Sequence, residues 1–167
     1  MELAREPRHA APDAGTAAAL QEVLARHAHE EGALLPNLHS LQDKLGYVPP
    51  SAVQGIADAL NLSRAEVHGV VTYYHHFRSE PAGRHVLQIC RAEACQAMGA
   101  DALLSHAELR LGCASHSTTS DGSFSLEPVY CLGLCASSPA LMLDGEPHGR
   151  VSARGLDVLI AQARSGK

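Results

Sequence analysis

The sequence predicts an α+β protein, an N-terminal helical bundle followed by a small α/β domain. Three observations carry this. From residue 15 to about residue 80, apolar side chains recur at three- and four-residue spacing, the period of one face of a helix. After "SEPAGR" (79–84) the pattern changes to short apolar runs, beginning with "HVLQIC" (85–90), as buried strands read. Pro81 and Gly83 mark the change as a linker. The expected organisation is a tail over residues 1–14, a helical domain over 15–80 and an α/β domain over 84–167.

In the helical part, Leu20, Val23, Leu24 and His27 form one stripe, and Leu38, Leu41, Leu45 and Val48 a second. Val53, Ile56, Ala57 and Leu60 form a third, with Pro36, Pro49 and Pro50 separating the segments and Pro50 suited to a first helical turn. A fourth helix starts at "LSRAE" (62–66), where Ser63 and Glu66 make a capping box. Leu62 and Val67 stand where a hydrophobic staple packs, and Val67, Val70, Val71 and Tyr74 form the buried stripe.

In the second part, the spacing predicts a helix over 96–111 with Met98, Ala102 and Leu109 inward. "GCASHSTTSDGS" (112–123) reads as a polar loop. "FSLEPVYC" (124–131) reads as a strand that Pro128 confines to an edge or a bulge. "ALMLDGEPHGRVS" (140–152) holds two short strands about Asp144-Gly145, a hairpin signal. Leu156, Leu159, Ile160 and Ala163 define a last helix. A right-handed crossover makes the first two strands parallel.

Composition narrows the function. The net charge is −5, lysine occurs only at Lys44 and Lys167, and there is no basic run, so nucleic acid is not the expected partner. No segment approaches the roughly 18 apolar residues of a membrane span, and the opening residues lack an apolar signal core. The expected location is therefore cytoplasmic, where disulfides rarely persist.

Four of the five cysteines fall in two pairs, Cys90 and Cys95 (C-x4-C) and Cys131 and Cys135 (C-x3-C). Each pair begins at the carboxyl end of an expected strand, where open α/β sheets bind ligands. Reduced packing, structural zinc and a [2Fe–2S] cluster are all open on spacing alone. A two-iron cluster suits the longer loops and needs nearby backbone N–H groups for its negative charge. A helix expected just after Cys95 and the Cβ-free Gly133 within "CLGLC" both meet that need.

Beyond spacing, "ICRAEACQAMGA" (89–100) and "VYCLGLCASSPALML" (129–143), with "LGYVP", "HGVVTYYHHF" and "DGSFSLEPVYCLGLC", resemble the thioredoxin-like [2Fe–2S] ferredoxin family across about residues 15–165. The resemblance implies a thioredoxin-like second domain and a [2Fe–2S] cluster on Cys90, Cys95, Cys131 and Cys135. It also implies an electron-transfer subunit, not catalytic alone, beside a subunit that binds FMN and NAD and carries further iron–sulfur clusters. Complex I members read Gly-Thr-Ala between the first two ligands, with His after the second. Here Arg91, Ala92, Glu93 and Ala94 stand between them and Gln96 follows. "CRAEACQAMGAD" is similar to the gamma subunits of soluble NAD-linked formate dehydrogenases, which implies a large partner holding a molybdenum cofactor. The alternatives are the equivalent subunit of an NADH:quinone oxidoreductase or NAD-linked hydrogenase, and, more distantly, a zinc-binding interaction module.

Cys113 matches no ligand position and reads as a half-buried spare thiol. His75 and His76 are adjacent, so on a helix they face different ways. They read as surface or interdomain residues, and Tyr73, Tyr74 and Phe77 as packing between the domains. Arg91 and Glu93 read as solvated or as subunit contacts. No glycine-rich phosphate motif follows a strand, so FMN and NAD are expected in a partner.

Overall fold

The computed structural model describes residues 11–27 and 30–166. These divide into two compact units, one ending at Pro81 and the other starting at Ala82. No helix among the described residues is long and apolar enough to cross a membrane.

The first unit has four helices, α1 (Ala14–His27), α2 (Leu34–Leu45), α3 (Ala52–Leu60) and α4 (Arg64–Tyr73). The expected tail falls outside the described residues up to residue 10, and Ala14 already opens α1. The three expected stripes supply the core: Leu20, Leu38, Leu41, Val53, Ile56 and Ala57 are all buried together with Val67, Val71 and Phe77. Each large side chain fully removed from water there contributes about 1.5–3 kcal/mol. Ser63 caps α4 as expected: its hydroxyl accepts from Glu66 N at 3.2 Å, and the Glu66 carboxylate accepts from Ser63 N at 2.8 Å.

Several local expectations are corrected. Pro36 does not separate segments but lies in the first turn of α2, where a missing N–H costs nothing. Val48 is buried but lies beyond the end of α2. Pro50 sits in the turn ahead of α3 rather than in its first turn. Tyr74 is 44% exposed, because α4 ends at Tyr73 and Tyr74 turns into extended backbone. Tyr73 is exposed as well, whereas Phe77 packs in the core of the helical unit itself. Gln42, which no sequence pattern singles out, donates to His76 O and accepts from Arg78 N, both at 2.8 Å. Both halves of this buried amide are thereby satisfied, and the chain after α4 is tied to α2.

The second unit is a five-stranded sheet with three helices. In chain order these are β1 (His85–Cys90), α5 (Glu93–Ala97), α6 (Ala100–Leu111), β2 (Ser117–Thr118), β3 (Phe124–Val129), β4 (Leu141–Leu143), β5 (Glu146–His148) and α7 (Ala153–Ser165). The strand order is β2-β3-β1-β4-β5. β1 is central, parallel to β3 and antiparallel to β4. Leu87, Ile89, Phe124, Leu126 and Leu141 of the sheet join Leu103, Leu104, Ala107 and Leu111 of α6 and Leu156 and Ile160 of α7 in one core. The hairpin at Asp144-Gly145 forms as expected, with both residues at positive φ (52° and 85°), the conformation of a type I′ turn.

The helix expected over 96–111 is two helices. Gly99, at φ 91°, ends α5 and starts α6 in a new phase. The buried face of α6 is therefore Ala100, Leu103, Leu104, Ala107 and Leu111, while Met98 and Leu109 are 61% and 84% exposed and Ala102 is exposed too. Part of the expected polar loop forms β2, pairing Ser117 with Leu126 and Thr118 with Ser125. β3 is consequently not an edge strand, and Pro128 is accommodated without a bulge. Arg91 N donates to Val129 O, at 2.7 Å, so Val129 bonds towards β1. Strand alternation then turns the Pro128 nitrogen the other way, past the end of the two-residue β2. Gly83 is more than linker: an added Cβ would stand 2.8 Å from the Phe124 carbonyl carbon, so glycine is needed where the chain enters the second unit.

Candidate metal centre

The four paired cysteines are gathered at one end of the parallel strands. Cys90 ends β1 and pairs in register with Val129, so Cys131 lies only two residues past the same edge. Cys90 N donates to Ala140 O at 3.0 Å, which clamps the strand end on its other side. Cys95 lies inside α5, which starts at Glu93. The expectation of a helix beginning after Cys95 is corrected by one turn. Cys135 opens a short 3-10 turn, Cys135–Ser137.

The pairs differ in burial. Cys90 and Cys95 are each 2% exposed and pack with Ala100 and Ala140, flanked by Ala92, Val129, Leu132 and Leu134. Cys131 and Cys135 are exposed, with their sulfurs 3.9 Å apart. Two thiolates about 2.3 Å from one tetrahedral metal stand roughly 3.8 Å apart, so this pair already has the bite of a single ion. Among the described residues no three His, Cys, Asp or Glu side chains are placed to share one ion. The arrangement is two pairs, the division in which a two-iron cluster takes two thiolates on each iron.

Electrostatics fit a positively charged guest. Burial pushes the Cys90 thiol up, but it is outweighed by the backbone N–H of Ala92, the Cys95 thiol and the backbone N–H groups of Leu132 and Cys131. The net effect lowers its pKa below the ordinary thiol value. Cys135 is raised, first by its hydrogen bond with Cys131, then by the Cys131 charge and burial, and also by the charges of Cys95 and Cys90. Gly133 N approaches Cys131 Sγ at 3.4 Å. Gly133 also sits at a positive φ of 76°, a backbone conformation that by itself favours glycine.

Other candidates are not gathered here. Cys113 is half-buried against the α6 side of the core, and burial raises its pKa. His116 bonds Glu127 at 2.9 Å. In the helical unit His76 lies tilted against His39 and edge-on to Phe77. Arg91 is paired to Asp101 at 2.8 Å, and Glu93 is exposed. Sequence reasoning misses Ser138, whose hydroxyl stands 3.5 Å from Cys95 Sγ. Its only signal is that of a polar residue shortly after the second pair.

The parallel β1–β3 pair carries both cysteine pairs at its carboxyl end, with the Gly133 N–H on the Cys131 sulfur, and makes the second unit a small α/β module with a cysteine-lined edge. The model of the thioredoxin-like [2Fe-2S] ferredoxin family matches residues 20–164. The chain belongs to that family, and a [2Fe–2S] cluster is the cofactor the family carries. It is 34% identical over 148 residues to an NADH-quinone oxidoreductase subunit of Rhizobium meliloti, covering 89% of this chain and 88% of the relative. It is 35% identical over 136 residues to the corresponding NADH-quinone oxidoreductase subunit of Pseudomonas aeruginosa, covering 80% and 82%. The fold matches the crystal structure of an NAD+-reducing [NiFe]-hydrogenase in the air-oxidized state with a TM-score of 0.66 at 24% identity, over 80% of this chain and 23% of that one.

Proposed function

We propose that Cys90, Cys95, Cys131 and Cys135 together hold one [2Fe–2S] cluster, and that the chain is the electron-transfer subunit of an NAD-linked oxidoreductase complex. The observation that carries this is the meeting of both cysteine pairs at one sheet edge, two sulfurs buried and two exposed. Such a cluster accepts and gives up one electron at a time. The chain's own part is to hold the sulfurs and to shield one side with Ala100, Ala140 and Leu132. It also turns N–H groups toward the negative charge. The exposed Cys131–Cys135 side is where an electron enters and leaves.

The particular complex we propose is a soluble NAD-dependent formate dehydrogenase. It would have one partner subunit carrying FMN, NAD and further iron–sulfur clusters and a large partner with a molybdenum cofactor. "RAEA" between the first two cysteines, with Gln96 after them, supports this reading. The second reading is an NADH:quinone oxidoreductase subunit, favoured by the names of the relatives above. Mass spectrometry of the complex that copurifies with the full chain separates them. A molybdenum-containing large subunit is the expected result, and quinone-linked membrane subunits would overturn the formate reading. Visible absorption tests the cofactor itself: the holoprotein should be red-brown with two irons per chain, and a colourless zinc protein would overturn the cluster assignment.

A further inference from the structure

One polar side chain links the two cysteine pairs. Ser138 lies just beyond the 3-10 turn, and its Oγ is 3.5 Å from Cys95 Sγ and 2.8 Å from the Cys135 carbonyl oxygen. With Cys95 as a thiol, the sulfur donates and the hydroxyl proton points at Cys135 O. A metal-bound Cys95 has no proton and is an acceptor only. The hydroxyl carries a single proton and turns freely about its Cβ–Oγ bond. A charged sulfur is a stronger acceptor than a neutral carbonyl. Cys95 is 2% exposed, so water competes little for that sulfur.

Resting on the ligand assignment above, we propose that Ser138 is a positioning residue that sets the reduction potential by donating its hydroxyl proton to the Cys95 sulfur in the cluster-loaded protein. The reduced cluster carries one more negative charge than the oxidised one, so a donated hydrogen bond favours it more and raises the potential. The bond also ties the buried pair to the exposed one, because the same residue follows Cys135 by only three positions.

The test is a dithionite titration of the full-length holoprotein followed by EPR. In Ser138→Ala the iron content and visible spectrum should be kept. The reduced-to-oxidised ratio at the wild-type midpoint should fall about fivefold, the size of one net hydrogen bond, which is ~41 mV at 59 mV per tenfold for one electron. Ser138→Thr should keep the wild-type potential and Ser138→Val should match Ala. That second pair differs only in the hydroxyl and decides the matter if Ala disturbs the turn. Pulsed EPR in D2O should show one exchangeable deuteron coupling lost in Ala and Val and kept in Thr. Equal potentials in all four proteins would overturn the role of Ser138. A Cys95→Ser protein with unchanged iron and spectrum would overturn the ligand assignment instead, so the two failures are distinguishable.

Discussion

The two cysteine pairs solve the same problem with opposite means. Cys90 and Cys95 stand on regular structure, the last residue of a central strand and the first turn of a helix, and both are buried. Cys131 and Cys135 stand on an exposed loop that passes through positive φ at Cys131 (94°) and Gly133 (76°). The first pair is held by packing, by Cys90 N donating to Ala140 O and by the next residue, Arg91, donating to Val129 O, so its position is set by the core. The second is held by loop conformation, so its position depends on what each residue's backbone tolerates. An electron carrier has use for both: one side fixed and dry, the other open to a partner.

This contrast is open to test. The largest effect is expected from Cys95→Ser on the buried side. Loss of a ligand there should exceed the roughly 10–100-fold fall in metal affinity that outer contacts give, and the visible band should vanish. Cys135→Ser, on the exposed side, should leave a weaker and shifted spectrum, because the pliable loop can bring the serine oxygen in. Iron analysis and absorption check both, and equal losses would mean that the pairs are mechanically alike. A smaller effect is expected from Gly133→Ala. At a φ of 76° the added Cβ strains the left-handed backbone by about 1–2 kcal/mol. Cluster half-life under a chelator should shorten while the melting of the helical unit stays put. The smallest effect belongs to Cys113→Ser, at a residue that packs against a core cluster other than the one that holds Cys90 and Cys95. Iron content and spectrum should be unchanged, and any loss would bring Cys113 into the ligand set.

Much of the architecture is written in local pattern. The capping box at Ser63, the strand His85–Cys90, the hairpin at Asp144-Gly145 and the inward face of α7 all depend on residues within a turn or two of each other. The same holds for the spacing of the cysteines and for their place at strand ends, and through them for the family. The corrected elements have a common cause as well. A helical period read straight through Gly99 puts Met98 and Leu109 inside, but the helix restarts at that glycine and both face water. A missing donor at Pro128 signals an edge or a bulge only when a neighbouring strand needs that donor, and β2 begins at Ser117, opposite Leu126 and two residues short of Pro128.

Most elements, the two-part order and the paired cysteines are legible in the residues alone, because those follow from short-range periodicity and turn chemistry. Only the tertiary structure decided which pair is buried, that Ala140 and Val129 clamp the end of β1, and that Ser138 reaches Cys95 across forty-three residues. These depend on the parallel register of β1 with β3 and on the antiparallel return of β4. Such pairings are set by the packing of the whole core, and no local pattern encodes them.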